Sequence, residues 1–522
     1  MRETLEVAGS IAAALSVCGV ILLDDRRLRA AGMIIALALA LALILGQAWD
    51  ELESVREQPA VLAAGCVGAA LVMGSLGLFF RHWPLALPVL LVAALPFRIP
   101  IEVSGEEANL LIPLYVVIGS GAIAAAIDAF TTDRDPPRRP PKPLLAALAA
   151  ATVLYAVQAS YSEDVAFAAR NVGFFLVPFA SMFVLLTEVR WTPRVLAAAF
   201  TVVATEAVLF ALVGAGQFAA REIFWNPALE RSNDFHFYFR VNSLFWDPNI
   251  YGRYLALAAV LVLGVVVWLR HPRRIAALAV VLALILIGLV FAFSQTSFLS
   301  LLAGVAVLCA LRYSLKWTVI VTPFAVAAIA ALVIGFGVTS EAEDSPREIS
   351  SGRTTLIEGG WKLFKAEPLV GHGSASFSKA FSAQEQIASG KTNTISHNEP
   401  VTVAAEQGIV GLLVYVALLA AAAWTLMRGM RRIAPGLGAP PIGDPVDDPA
   451  LAQGVARIAL AAAFAAMVLH TIGYAGYLTD PLIWALLAVG GALAAASPNA
   501  GATAESPSSA RLARPGPAST GR

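Results

Sequence analysis

The chain has 522 residues, of which 58% are apolar and 14% are charged, and its formal net charge is zero. Soluble domains carry about 25% charged residues, so this composition excludes a protein whose whole surface is exposed to water. The balanced charge gives no bulk attraction to nucleic acid, and we therefore expect a lipid bilayer, and no nucleic acid, as a partner.

Apolar runs of roughly 20 residues, the length that crosses a bilayer as a helix, recur from one end of the chain to the other. They predict an all-α, polytopic integral membrane bundle of about 14–15 transmembrane helices over residues 1–496. The candidate spans are 7–23, 30–48, 60–80, 84–97, 110–130, 144–160, 172–189, 195–219, 248–269, 275–293, 297–311, 317–338, 400–427, 451–473 and 481–496. The fourth is short for a span. The remaining residues, 497–522, are rich in Pro, Ala, Ser and Gly and are predicted to be disordered.

The three cysteines, Cys18, Cys66 and Cys309, all fall inside apolar runs. This placement is typical of small packing residues and not of a disulfide frame or a metal site. The first apolar run is followed by the charged segment DDRRLR and by no small-residue cleavage site. We therefore interpret it as a transmembrane helix and not as a signal peptide.

Successive connections between the predicted spans alternate between many and few basic residues. One set, which includes the tail, holds 21 of them, and the opposite set, which includes the N-terminus, holds 13. Because basic loops stay in the cytoplasm, the sequence predicts an N-terminus outside and a cytoplasmic tail. The short connections then face inside. Two long connections, 220–247 and 339–399, face outside, and long loops in compact proteins usually carry function.

The first of these loops leads into a helix through the stretch FHFYFRVNSLFWDPNIYGRYL (235–255). Arg253 lies about one turn into the predicted span, with Asn249 four residues earlier on the same helix face. A charge inside a span is costly and tends to mark function, although Arg253 can also extend towards water. Arg240 sits among aromatic residues of the loop, and it is either an ordinary loop arginine or a substrate ligand.

A second constellation is the stretch TISHNEPVTVAAEQGIVGLL (394–413). Asn398 and Pro400 have the character of a helix cap and first turn, which puts His397 just outside a helix N-terminus. Asp247 and Pro248 begin the other helix in the same way. Two helix N-termini on one side form a setting suited to a diphosphate. Glu406 lies about two turns into its span, where it either stabilises the structure or contributes to the site.

The second long loop contains SSGRTTLIEGGWKLFKAEPLVGHGSASF (350–377). Ile357, Trp361 and Phe364 share one helical face, and Arg353 precedes Ile357 by four residues. The pattern predicts an amphipathic helix that lies on the membrane. A glycine-rich turn at 371–373 follows it.

Metal and nucleotide motifs are missing from the sequence. It has no His-Glu-x-x-His pair, no Asp-x-Asp pair on the outer side, no clustered cysteines and no phosphate-binding loop of the Walker type. We therefore expect no cofactor. A departing diphosphate would be neutralised by arginine, whose planar guanidinium matches phosphate geometry.

Three stretches together resemble the O-antigen ligase and Wzy-type O-antigen polymerase superfamily. They are RVNSLFWDPNIYGRYLAL (240–257), GRTTLIEGGWKLFKAEPLVGHGSASF (352–377) and SHNEPVTVAAEQGIVGLLVYVALL (396–419). The resemblance implies a GT-C-like helical fold in the bacterial cytoplasmic membrane. It also implies a metal-independent, inverting transfer of a glycan from an undecaprenyl-diphosphate-linked donor to a sugar hydroxyl of an acceptor, on the outer face.

The resemblance also assigns roles. The family's outer-loop histidine falls on His397, the expected base for the acceptor hydroxyl, and its loop arginine falls on Arg240, an expected diphosphate ligand. The family often carries a Ser-Arg pair at an outer turn that here reads FSQTSFLSLL (293–302), without arginine. Arg253 or Arg353 is the expected substitute, and Asn249 and Glu406 complete the predicted substrate-binding residues.

Two alternatives remain open at this stage. A ligase and a polymerase share this architecture and differ in the acceptor. A transporter or flippase of lipid-linked glycan, without transferase activity, would instead show broken helices, repeated halves and polar groups near mid-membrane.

Overall fold

The structure is a computed structural model, and it describes residues 2–49, 57–103, 106–132, 138–235, 238–320, 353–385, 396–439 and 448–496, together with residues 53, 322 and 323. Most of the predicted span 317–338 lies outside the described residues. So do residues 339–352 and 386–395 of the predicted long loop and the whole tail 497–522.

Helices dominate the described part of the chain. In chain order they are α1 Arg2–Leu22, α2 Arg26–Gln47, α3 Pro59–His82, α4 Ala86–Ala94, α5 Ile112–Thr131, α6 Lys142–Gln158, α7 Val165–Asn171, α8 Val177–Thr187, α9 Pro193–Ala220, α10 Pro227–Phe235, α11 Pro248–Val266, α12 Pro272–Phe291, α13 Gln295–Arg312, α14 Arg353–Ala366, α15 Phe377–Gln384, α16 Glu399–Met427, α17 Pro449–Gly473 and α18 Pro481–Ala496. Single 3₁₀ turns occupy Ala159–Tyr161, Met430–Arg432 and Pro435–Leu437.

Twelve helical stretches in the described residues are long and apolar enough to cross a membrane, and α18, with 16 residues, is a shorter apolar helix. This confirms an all-α polytopic membrane protein. The predicted span 84–97 corresponds to α4, which has nine residues and at 1.5 Å per residue is about 14 Å long. That length is too short to cross a bilayer of about 30 Å alone.

The predicted span 172–189 is the second part of a longer stretch. α7 and α8 are joined by a π-helical turn at Val172–Leu176, and together they form one stretch from Val165 to Thr187. Pro178 lies at the start of α8. Because proline has no amide hydrogen and its ring crowds the preceding turn, a helix that continues through it widens locally.

A short antiparallel hairpin, which the sequence analysis did not predict, follows α4. Strand β1, Ile99–Val103, pairs with β2, Glu106–Leu110, and Ile99 lies opposite Leu110. The alternation of Ile99, Ile101 and Val103 with other residues has the period of a strand and uses β-branched side chains. The hairpin is short and lies between the predicted spans 84–97 and 110–130, so the sequence analysis treated it as a connection.

Contacts between connections define two ends of the bundle. Arg2 Nη2 donates to Gln47 O at 2.8 Å, and Gln47 Nε2 donates to Ala166 O at 2.8 Å. At the other end of α1, Arg139 pairs with Asp24 at 2.6 Å. The connections predicted to be outside and those predicted to be inside therefore gather at opposite ends, which we call the N-terminal end and the Arg139 end.

One apolar core joins the two halves of the chain. Phe183 of α8 packs edge-on against Trp484 of α18, with ring centroids 6.3 Å apart. Gln158, at the end of α6, donates to Gln407 O of α16 at 3.3 Å. The periphery is different, because in α3 only Gly77 and Phe80 are buried. The centre of the bundle is thus built from α6, α8, α11, α16, α17 and α18, and α3 lies outside it.

Candidate functional site

Two central helices begin at the N-terminal end of the bundle. The Asp247 carboxylate accepts the amide of Asn249 at 2.6 Å and caps α11. The Asn398 side chain accepts the amide of Val401 at 3.1 Å and caps α16. Asn398 Nδ2 also donates to Ile472 O, at the end of α17, at 2.9 Å. The end of α17 therefore fixes the start of α16.

Tyr474, immediately after α17, connects the two helix starts. Its hydroxyl lies within electrostatic range of the Asp247 carboxylate, and its ring lies 5.6 Å from the His397 ring, centroid to centroid. The Arg253 guanidinium lies over the same ring at 5.2 Å. Burial, and then the neighbouring Asp247 charge, raise the pKa of Tyr474, so the phenol stays neutral.

The backbone around His397 is unusual and well held. His397 has a φ of 55°, in the left-handed region that non-glycine residues rarely adopt. Next to it, buried Ser396 accepts the Asn398 amide at 3.0 Å and contacts the Thr402 hydroxyl at 2.6 Å. Backbone outliers of this kind persist only where the surroundings impose them, and they concentrate at functional sites. The half-buried imidazole of His397 is thus placed by its backbone at the mouth of the site.

Arg253 is buried, with 4% of its side chain exposed. Its Nε donates to Nδ1 of His470 at 3.1 Å, and its guanidinium forms an ion pair with Asp480, which is 5% exposed. Water is therefore not its partner, and the alternative that Arg253 extends towards water does not describe this structure. The charge of Arg253 is compensated by Asp480, the residue that immediately precedes α18.

A chain of buried polar groups continues from Arg253. Because Arg253 donates to Nδ1 of His470, the hydrogen of the neutral imidazole lies on Nε2, 3.2 Å from Ser297 Oγ. Ser297 Oγ then donates to Ser294 Oγ at 2.8 Å, and Ser294 Oγ donates to Asn249 Oδ1 at 2.9 Å. This chain, here called the His470 network, joins α11, α13 and α17. Asn249 is part of it through its carbonyl oxygen.

Arg240 contacts the backbone just before the start of α13. Its Nε donates to Ala292 O at 3.3 Å, two residues before Ser294. Its backbone is held by Asn233, which accepts from Arg240 N at 3.0 Å and donates to Arg240 O at 2.9 Å. The structure thus places the guanidinium of Arg240 at the end of α12, close in sequence to Ser294 of the His470 network.

Glu406 binds the loop that precedes α15. Its two carboxylate oxygens accept the amides of Ala375 at 2.9 Å and of Phe377 at 3.1 Å. A buried carboxylate satisfied by backbone amides stabilises the conformation of those amides. In this structure Glu406 positions the turn 371–377 and also lines the central cavity described below.

The same turn is interlocked with a kink in α16. Gly408 has a φ of 63° inside this helix, and Gly371 has a φ of 69°. Ile409 N donates to Pro368 O at 2.8 Å across the contact. A Cβ at Gly408 would meet Leu369 O, in addition to requiring a left-handed backbone. The predicted glycine-rich turn is confirmed, and the structure shows that it packs against backbone.

The predicted amphipathic helix is confirmed as α14. Leu363 is buried against Phe377 and Phe381 of α15, whereas Ile357 and Trp361 are 37% and 48% exposed. The exposed face carries an apolar surface, as a helix in a membrane interface does. Arg353 is the first residue of α14, and its side chain lies outside the described residues.

A cavity of about 450 Å³ lies between these elements. Hydroxyl groups of Tyr155, Tyr477 and Thr402 line it, together with aromatic rings such as that of Phe377. Its charged lining residues are Arg98, Arg253, Glu399, Glu406 and Asp480. It reaches Tyr474 and hence the neighbourhood of His397. Among the described residues, no group of three or more His, Cys, Asp or Glu side chains could hold a metal ion.

Sequence reasoning missed several members of this site. His470 was recognisable as a polar residue near the end of a span, which is a sign of function or of a buried partner. Asp480 and Tyr474 lie between the last two spans and carried no such signal. Arg98 follows a short apolar run and is distant in sequence from every motif, so only the fold brings it to the cavity.

The fold and the site together define a polytopic α-helical membrane protein with a polar cavity at one end of its bundle. Residues 251–416 match the family model described as O-Antigen ligase. This segment runs from within α11 to most of α16, and its match supports membership of the O-antigen ligase superfamily. No curated protein matches the chain.

Proposed function

We propose that the protein transfers a glycan from an undecaprenyl-diphosphate-linked donor to a hydroxyl group of an acceptor glycan. The observation that carries this proposal is the position of His397. It lies at the start of α16, its backbone is fixed in a left-handed conformation, and its ring packs on Tyr474 at the edge of the central cavity. The match of 251–416 to the O-antigen ligase model supports the reaction class.

In the proposed reaction the acceptor oxygen attacks the anomeric carbon of the donor sugar. The bond between that carbon and the diphosphate oxygen breaks, the configuration inverts, and the diphosphate leaves with the bonding electron pair. His397 takes the proton of the attacking hydroxyl as general base, because a sugar hydroxyl is a weak nucleophile. The hydroxyl and aromatic lining of the cavity is chemically suited to sugar rings.

Arginines stabilise the departing diphosphate in this proposal. Arg240 is the proposed direct ligand, since the planar guanidinium matches the phosphate oxygens. Arg253 and Asn249 contribute through the His470 network, which holds the start of α11. Glu406 contributes by fixing the turn 371–377, and Arg353 is proposed to face the same side from the start of α14. No metal ion takes part, so transfer by the purified protein should persist in excess EDTA.

The proposed location is the bacterial cytoplasmic membrane, with the cavity on its outer face. The distribution of basic residues supports this orientation, because Lys and Arg are concentrated in the connections predicted to be cytoplasmic. Arg139, which pairs with Asp24, belongs to one of these connections. In this orientation the lipid-linked donor enters the cavity from the outer face of the membrane, where lipid-linked glycans are assembled into longer polymers.

The test is the analysis of lipid-linked glycans in cells that lack the gene, complemented with wild type or with His397→Ala. A ligase predicts that long donor chains accumulate, and a polymerase predicts that single repeat units accumulate. The His397→Ala protein should fail to reverse either change. If the lipid-linked pool of the deletion strain equals that of wild type, the transferase proposal is wrong, and a transporter must be tested instead.

A further inference from the structure

The charged side chains that line the central cavity differ in how far they are compensated. Arg253 and Asp480 form an ion pair. Glu406 accepts two backbone amides, and Glu399 accepts the amide of Gly476 at 2.6 Å. Arg98 also lines the cavity, yet within the described ranges it has no hydrogen-bond or ion-pair partner. Of the two cations in the cavity lining, it is the one whose charge no described residue compensates.

Arg98 is placed by two structured elements and not by a long loop. It follows α4 and immediately precedes Ile99, the first residue of β1. It is half-buried and lies within electrostatic range of Tyr474, where its charge, like that of Arg253, opposes the rise in the pKa of Tyr474 that burial causes. Arg98 and Tyr474 line the same cavity, and the ring of Tyr474 packs against His397.

A half-buried guanidinium with no partner among the described residues has lost part of its hydration, and no contact described for it compensates that loss. Its five N–H donors form a planar fork that binds two oxygens of one phosphate group at once. The three carboxylates in the cavity lining have other partners: Glu399 and Glu406 accept backbone amides, and Asp480 pairs with Arg253. An anionic group of a ligand in the cavity would complete the arrangement.

We infer that Arg98 is a further substrate-binding residue, which contacts the diphosphate of the lipid-linked donor. This inference rests on the proposed function and adds a residue from the N-terminal part of the chain, outside the matched segment 251–416. The sugar is attached directly to the diphosphate. A diphosphate held at Arg98 therefore keeps the reacting anomeric carbon in the cavity that Tyr474 and His397 border.

Binding of undecaprenyl diphosphate to the full-length protein in nanodiscs tests the inference. Arg98→Ala should weaken binding about tenfold or more, the effect of losing one or two charge-assisted hydrogen bonds. Arg98→Gln, which keeps an N–H donor but not the charge, should behave in the same way, and Arg98→Lys should recover part of the affinity. Arg221 is the matched control, because it is exposed and stacks on Phe218 outside the cavity lining. Arg221→Ala should stay within twofold of wild type.

Competition separates the two possible sources of phosphate. Unlabelled undecaprenyl diphosphate should displace the probe, and an equal excess of phosphatidylglycerol should not. Binding by Arg98→Ala within twofold of wild type would overturn the inference, as would equal displacement by phosphatidylglycerol. The two proposals fail differently. If wild type transfers glycan and Arg98→Ala does so with an unchanged KM for donor, only the inference is wrong. If wild type neither binds the probe nor transfers glycan, the proposed function is wrong as well.

Discussion

At the scale of single residues, a base and a diphosphate ligand respond differently to removal. His397→Ala should lower turnover about 10²–10⁴-fold, the usual contribution of general-base catalysis. Donor affinity should stay close to that of wild type, since in the proposed mechanism the imidazole contacts the acceptor hydroxyl. Donor binding measured beside single-turnover transfer gives both quantities for the same protein.

Arg240, the proposed diphosphate ligand, should respond differently from the proposed base His397. Arg240→Ala should weaken donor binding together with turnover, and Arg240→Lys should recover only part of each, because an ammonium group lacks the planar fork. If His397→Ala and Arg240→Ala lose affinity equally, His397 is another diphosphate ligand and not a base. Turnover near wild type in His397→Ala would reject its catalytic role altogether.

The ion pair between Arg253 and Asp480 gives a prediction about stability. Both side chains are at most 5% exposed. Arg253→Met therefore leaves a buried carboxylate without its partner, which costs about 3–5 kcal/mol when such pairs are broken. The double substitution Arg253→Met with Asp480→Leu should recover much of that loss. Thermal unfolding of the purified proteins in one detergent measures both. A double variant no more stable than Arg253→Met would show that the carboxylate is satisfied in another way.

The residues most accessible to sequence reasoning were those next to recognisable helix starts. His397, Asn249 and Glu406 could be placed at or near the N-termini of two helices, because proline and a capping residue mark such positions. Their partners could not be predicted. Arg253 meets Asp480 across 227 positions of the chain, and periodicity within one helix gives no information on contacts at that separation.

At the scale of elements, the kink of α16 and the turn 371–377 act as one unit. Gly408→Ala should destabilise the protein by more than about 1 kcal/mol, since alanine resists a left-handed backbone and its Cβ would meet Leu369 O. Gly65→Ala in α3 is the control, because a Cβ there has no neighbour within 4 Å. The melting temperature should fall for Gly408→Ala only. Equal melting temperatures would mean that α16 can straighten without loss.

Long, strongly apolar helices were predictable from composition, because lipid requires every backbone group to be paired within the segment. Short elements were not. The nine residues of α4 and the hairpin 99–110 together look like one weak span and a loop, and hydropathy alone does not separate them. The π-helical turn before Pro178 was equally invisible, since proline in a membrane helix permits either a kink or a bulge.

At the scale of the whole molecule, the orientation can be tested directly. In a protein freed of its native cysteines, Glu367→Cys should react with a membrane-impermeant thiol reagent added to intact spheroplasts. Arg273→Cys should react only after the cells are opened. Both positions are exposed, so a difference in labelling reports the side of the membrane. The reverse pattern would place the cavity in the cytoplasm and overturn the proposed donor access.

The pairing of Arg253 with Asp480 also has a consequence for how the chain is made. During synthesis at about 5–20 residues per second, Asp480, which lies 227 positions after Arg253, is added about 11–45 s later. For that interval α11 holds a guanidinium whose ion-pair partner does not yet exist, and a lone charge in a membrane helix is costly. The nascent bundle must therefore tolerate an uncompensated Arg253 until the segment between the last two helices supplies Asp480. Truncation before Asp480 should leave α11 exposed to membrane quality control, even when every residue of the matched segment 251–416 is present.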